Sequence, residues 1–310
     1  MRQLPRGILS AALVLSVGCS AATRSLGTLF RTPREVPNKV THPVRPDARL
    51  AVLWVGHATV LVQIDDKFIL TDPVFTPTVG QLSKRLVEPG IDPENLPPID
   101  AVIISHMHFD HLSFGSLDIL EKKIARLFVP RGGLVYVPDY SFPATELARW
   151  ERWESNGLQI TAVPVKHNGM RYGLDAGWMD KTFTGYVISY HGITVYFGGD
   201  TAYVQKNFVE TAGRFPSIDL ALMPIAPIEP RGFMKASHVD PNEAVQAFID
   251  LKARRMIPIH FDTFINSTDE VGDATRVLGE VMAARNIGPE KITVLQIGEQ
   301  RTLITRATPP

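Results

Sequence analysis

The sequence predicts a mixed α/β domain, and three observations predict it. Short apolar runs of strand length recur along the chain, at residues 50–55, 59–64, 101–104, 193–197, 220–223 and 255–259. Helical patterns at 117–123, 240–252 and 274–285 are interspersed among them. Histidines and aspartates stand where several of these runs stop, and strand ends are where such scaffolds gather functional side chains.

The N-terminus has the pattern of a targeting segment. Arg2 and Arg6 supply positive charge, residues 7–17 a short apolar stretch, and Ser16, Val17 and Gly18 the small residues before Cys19. The stretch is too short to span a bilayer, which takes about 20 apolar residues. Cys19 is the only cysteine, so an intramolecular disulfide is excluded. Residues 15–19 resemble a bacterial lipoprotein cleavage box. The resemblance implies a signal peptide over 1–19, lipidation of Cys19 and anchoring in the membrane of the bacterial cell envelope. Ordinary secretion and an uncleaved anchor are the alternatives. Pro33, Pro37, Pro43 and Pro46 give residues 20–47 the composition of a flexible tether, so the folded domain is expected over 48–307.

Within that domain, runs at 50–55, 59–64 and 68–73 read as three strands, the last two joined by a turn at Asp65 and Asp66. His57 lies between the first two, either lining a site or serving the structure. Asp72 ends the third strand just before Pro73, placed to orient a ligating histidine by accepting its second N–H.

Residues 101–104 form a buried strand that runs into Ser105-His106-Met107-His108-Phe109-Asp110-His111. Three histidines and a carboxylate within six positions make a donor set for a divalent metal such as zinc. His106 and His108, two apart in extended chain, point the same way and can grip one ion, leaving Asp110 and His111 for a second.

Helix 117–123 and strands near 127 and at 158–165 follow, the last ending at His167. Two strands, 184–189 and 193–197, flank a turn whose His191 reads as a surface residue. The second ends at Gly198-Gly199-Asp200, where glycine permits close backbone approach. Asp240 reads as the N-cap of a helix with Pro241 at its first position and Glu243 completing a capping box. Strand 255–259 ends at His260, and a helix at 274–285 and a strand at 292–296 close the chain. Balanced charge, with 32 basic and 32 acidic residues, gives no electrostatic footprint for nucleic acid.

The H-x-H-x-D-H run after an apolar strand resembles the metallo-β-lactamase superfamily, which implies a four-layered αββα sandwich with a dimetal site at the sheet edge. Residue by residue, the resemblance implies two zinc ions per chain. One is held by His106, His108 and His167, the other by Asp110, His111 and His260, with Asp200 bridging. Such ions supply an acidified water and Lewis acidity, so no serine, cysteine or lysine nucleophile is required.

Residues 53–59, 70–75, 199–203 and above all 229–241 are similar to N-acylphosphatidylethanolamine-hydrolysing phospholipase D. That similarity implies a zinc phosphodiesterase releasing phosphatidic acid and an N-acylethanolamine. Asp110, Asp200 and His238 would be its catalytic residues, His238 positioning phosphate or stabilising the transition state. Residues 168–183 match that family loosely. Their Tyr172, Trp178, Met179 and Phe183 suggest an apolar lid, with Trp178 and Met179 as substrate contacts, or a packed loop. The rival readings are a metal-dependent lactonase or other ester hydrolase and, ranked lower, a non-catalytic zinc-binding envelope lipoprotein. No feature of the sequence bears on oligomeric state.

Overall fold

Continuous apolar runs arise where a strand is buried on both faces, and β1 (Ala48–Gly56) is such a strand. The computed structural model describes residues 22–80 and 83–306. In β1, Leu50, Val52 and Trp54 face one apolar cluster while Leu53 and Val55 face another. β2 (Thr59–Ile64) and β3 (Lys67–Thr71) follow as antiparallel neighbours. A two-stranded sheet of β4 (Thr78–Val79) and β5 (Ser83–Lys84) stands apart. β6 (Ala101–Ile103), β7 (Leu127–Pro130) and β8 (Ala144–Leu147) then add in parallel to β3.

A second sheet grows through β9 (Arg152–Ser155), β10 (Leu158–Val163), β11 (Gly185–Tyr190) and β12 (Ile193–Phe197), all antiparallel. It ends in parallel β13 (Leu220–Pro224) and β14 (Met256–Ile259). β15 (Gln300–Thr305) returns to pair with β1. The sheets thus read β15-β1-β2-β3-β6-β7-β8 and β14-β13-β12-β11-β10-β9.

Helices cover the outer faces. Besides α1 (residues 22–28), they are α2 (Phe114–Leu120), α3 (Ala176–Met179), α4 (Gln205–Arg214), α5 (Arg231–Met234), α6 (Pro241–Asp250) and α7 (Asp273–Ala284). Leu117 and Leu120 of α2 pack on Leu70 and Val102 outside the first sheet. Phe208 of α4, Val245 and Phe248 of α6 and Leu278 of α7 join the cluster of the second. The result is the expected αββα sandwich. Asp240 caps α6, its Oδ1 accepting from the Glu243 N–H at 2.8 Å. The Glu243 side chain does not close a capping box; it turns to Arg231.

Strand direction decides where the site lies. β1 and β3 run the same way, as do β10, β12 and β14, so their C-terminal ends open on one edge in each sheet. His57, Asp72 and the 105–111 loop leave that edge of the first sheet; His167, Asp200 and His260 leave that of the second.

Two further expectations need correction. Residues 22–47 do not hang as a solvated tether. Arg24 donates to the Thr268 and Asp269 carbonyls at 2.8 and 3.2 Å, the Arg34 and Glu88 N–H groups bond the Leu86 and Arg34 carbonyls, and Thr28 and Val36 are buried. Extended, proline-bearing backbone matches the main chain of 86–88 and lies along it. Residues 292–296 are not a strand: Ile292 and Leu295 are buried, but one bridge to Met256 is all the pairing they make within the described residues. The terminal strand is β15, a half-exposed sheet edge whose mixed polarity hides its apolar period. The expected signal peptide, Cys19 included, lies outside the described residues.

Candidate metal centre

Two donor groups converge where the sheet edges meet. In one, His106 Nε2 stands 2.8 Å from His108 Nδ1, and His167 Nε2 stands 3.5 Å from that same atom. In the other, His111 Nε2 lies 3.2 Å from His260 Nε2, with Asp110 Oδ2 at 3.6 and 4.0 Å from these two nitrogens. Asp200 sits between the groups, 3.0 Å from His260, 3.4 Å from His111 and 3.9 Å from His167. The structure therefore brings together all seven residues expected as ligands. Of the four strand-end residues only His260 follows its strand directly: Ile104 and Ser105 intervene before His106, Gly198 and Gly199 before Asp200, and Pro164, Val165 and Lys166 before His167.

The close approach of the two sheets has a local cause. At Gly199, φ is 55°, and a Cβ there would fall 2.3 Å from the Ser105 Cβ. Glycine lets the end of β12 pass against the histidine loop and deliver Asp200. His57, Asp72 and His260 also take left-handed backbone, with φ of 53°, 32° and 66°. Such conformations cost about 1–3 kcal/mol each and persist where the surroundings over-determine them.

The outer partners of the rings fit a metal. His111 Nδ1 donates to Asp72 Oδ2 at 2.6 Å, His167 Nδ1 to the Ser237 carbonyl at 2.9 Å and His260 Nδ1 to the Ala226 carbonyl at 3.0 Å. His106 Nδ1 meets Ser105 Oγ, which itself donates to Asp72. With Nδ1 spent outward, four Nε2 lone pairs face inward, the arrangement of metal-ligating imidazoles. Asp200 Oδ1 is buried without a hydrogen-bond donor, although His260 Nε2 is close. Facing lone pairs and an orphaned carboxylate oxygen suit a cation held among them.

Electrostatics agree. Burial, reinforced by neighbouring imidazoles, holds His106 well below the usual histidine range. Burial likewise keeps His167 neutral, against the pull of Asp200. At Asp110 and Asp200 burial disfavours the carboxylate, yet the surrounding histidines outweigh it and hold both well below the usual range. The centre thus joins neutral His106 and His167 to two anionic carboxylates. At His111 burial lowers the pKa, yet Asp200, Asp110 and Asp72 outweigh it and hold it well above the usual histidine range, the same negative field that favours a cation there.

His57 is buried and its Nε2 meets Asp110 Oδ2 at 3.0 Å, so it touches the centre through a carboxylate. Burial and His260 push its pKa down to about 3. His238 stands at the rim, partly exposed, with Nδ1 at 3.6 Å from Asp200 Oδ2 and no hydrogen-bond partner. His191 is an exposed turn residue against Asp65, as expected.

Residues 168–183 hold α3 and are docked rather than loose. Met179 is buried, while Trp178 is exposed; both border a cavity of about 590 Å³ that His167 also walls. A second cavity, of about 280 Å³, opens on His108 and Asp110 between Val79, Phe109, Phe264 and Ile265. Residue-by-residue reading missed that apolar mouth, because its walls come from separated loops. It also passed over Arg171, which carries no motif.

Comparison with known proteins agrees with this geometry. A family profile described as "Beta-lactamase superfamily domain" matches residues 67–261, more than half the chain. The chain is 32% identical over 271 residues to N-acyl-phosphatidylethanolamine-hydrolyzing phospholipase D 1 of Caenorhabditis elegans, covering 81% of this chain and 74% of that protein. It is 30% identical to the mitochondrial N-acyl-phosphatidylethanolamine-hydrolyzing phospholipase D of Saccharomyces cerevisiae, covering 69% of this chain but 48% of that one. In structure it resembles a metallo hydrolase of the archaeon Ignicoccus hospitalis, with a TM-score of 0.61 at 22% identity, over 81% of this chain and 97% of that one. A buried histidine and aspartate cluster on this fold, with these relatives, places the chain in the metallo-β-lactamase superfamily of metal-dependent hydrolases, close to the N-acylphosphatidylethanolamine-hydrolysing phospholipases D.

Proposed function

We propose that the chain is a dinuclear zinc phosphodiesterase of phospholipase D type. Its substrate is N-acylphosphatidylethanolamine or a related lipid, cleaved to phosphatidic acid and an N-acylethanolamine. The observation that carries this reading is Asp200, within 3.9 Å of donors in both groups and so able to serve two ions at once. Imidazole nitrogen and carboxylate oxygen suit zinc. Bound there, the metal supplies an acidified water and Lewis acidity at an esterified phosphorus.

The chain's own residues then hold and orient the substrate. His238 stands beside Asp200 at the rim, with burial pushing its pKa down to about 4, so it meets substrate as a neutral donor. The apolar mouth at His108 and Asp110 supports a lipid rather than a small hydrophilic ester, each CH₂ buried there contributing about 0.8 kcal/mol. The anchoring expected at Cys19 belongs to the same reading, since it holds the enzyme at the bilayer where its substrate resides.

The test is metal analysis of the purified chain, followed by turnover of long-chain N-acylated phospholipid in mixed micelles against short diesters and lactones. Two zinc equivalents with preferred cleavage of the long-chain lipid, and slower cleavage by His238→Ala at unchanged metal content, support the reading. Ready opening of lactones with the lipid untouched overturns it in favour of a lactonase.

A further inference from the structure

Arg171 is a buried cation at the back of the histidine loop, 7% exposed. Its Nη1 donates to the carbonyls of Met107 and Leu112, at 2.8 Å each. Those carbonyls lie on either side of His108, Phe109, Asp110 and His111, so one nitrogen closes the loop that carries three expected ligands. The guanidinium carbon lies 4.4 Å from the ring centre of Phe109 and 4.2 Å from that of Phe114. Two carbonyls and these two ring faces thus meet its charge, with the Tyr172 ring farther off at 5.8 Å and no ion pair to it within the described residues.

The other end of this clasp is equally defined. Asp175 accepts the main-chain N–H groups of Arg171 and Tyr172 at 2.9 and 3.0 Å, and the Tyr136 hydroxyl bonds the same carboxylate. Arg171 therefore leaves a pinned turn in 168–183 and reaches into the metal loop. Burying a guanidinium without a carboxylate partner is costly, and Arg171 Nε has no hydrogen-bond partner. A methionine or leucine would fill the space at lower cost if packing were all the position required. What an aliphatic side chain lacks is the rigid fork, whose two N–H bonds hold two carbonyls at fixed positions.

We propose that Arg171 is a positioning residue for the metal centre. By clasping both sides of loop 108–111 it sets how His108 of one donor group stands relative to Asp110 and His111 of the other. It also ties that geometry to the conformation of 168–183, so a ligand that shifts this segment alters the centre from behind. The inference rests on the reading that the two donor groups hold metal.

The experiment uses the full chain, stripped of metal and titrated with Zn²⁺ against a chromophoric chelator, then with Co²⁺ to record the visible spectrum. Arg171→Met keeps the length and the contact with both aromatic rings but removes the donors. It should bind at least one equivalent about 10–100-fold more weakly, the scale for losing a residue that orients a ligand, with an altered cobalt spectrum. Arg171→Lys, which retains a charged donor but not the fork, should recover only part of that affinity.

Parental affinity and spectrum in Arg171→Met, with only a lower Tm, overturn the inference and leave a packing role. Should that variant not fold, Asp175→Asn loosens the turn while leaving every loop contact in place. Weaker metal binding there supports the clasp, and parental binding and spectrum overturn it. A parent chain that binds no metal overturns the metal reading and this inference with it.

Discussion

Asp72 and His111 meet at 2.6 Å through Oδ2 and Nδ1, both side chains shut off from solvent. The same carboxylate accepts the Ser105 N–H at 2.7 Å and the Ser105 hydroxyl at 2.6 Å, and that hydroxyl meets His106 Nδ1. One carboxylate at the end of β3 therefore orients a histidine in each donor group. Asp72→Ala should weaken metal binding about 10–100-fold, the usual scale for such partners, while leaving all seven expected ligands in the sequence. Chelator competition on the purified variant measures this; unchanged affinity would show the contact to be structural only.

Asp200 lies close to donors of both groups, and an amide in its place offers a neutral oxygen and an N–H where an anion is required. Asp200→Asn should lose at least one metal equivalent and nearly all hydrolysis. Elemental analysis beside turnover decides it. Two equivalents with normal turnover would refute the dinuclear assignment.

Asp175 gives a pH dependence away from the ligands. Burial raises its pKa, but bonds from the Tyr136 hydroxyl and two main-chain N–H groups outweigh this and hold it below the usual carboxylate range. A depressed folded-state pKa contributes stability that is present above the unfolded value, about 3.9, and is lost as pH falls through the folded one. Hydrogen-exchange protection of 168–183 should accordingly be level near neutral pH and drop on acidification below about pH 4. Asp175→Asn should lack that step; an identical acid profile in the variant would assign the loss to other groups.

Anchoring at Cys19 predicts a chain that sediments with membranes and carries lipid mass on its first mature residue. Cys19→Ser should appear as soluble protein or as unprocessed precursor, with turnover in detergent unchanged. Native protein found soluble and free of lipid contradicts the anchor.

The sequence by itself determined most strands, the αββα class and the seven residues that converge. These signals are local or carried by a motif: apolar runs make strands, and histidines on strand ends share an edge once strand direction is set. Asp72 was legible as a ligand-orienting residue because a carboxylate ending a strand before proline has few other places to point. Only the tertiary structure decided which ring nitrogen each histidine turns inward, since that depends on acceptors such as the Ser237 and Ala226 carbonyls, distant in the chain. It likewise decided that residues 22–47 lie along the domain and that β15 rather than 292–296 pairs with β1, for an edge strand or docked extended segment is recognised by its partner's main chain rather than by its own period. Arg171 is the clearest case. Its two acceptors lie 64 and 59 residues away, and a side chain that works through main-chain carbonyls leaves no pattern of residue types for a sequence to display.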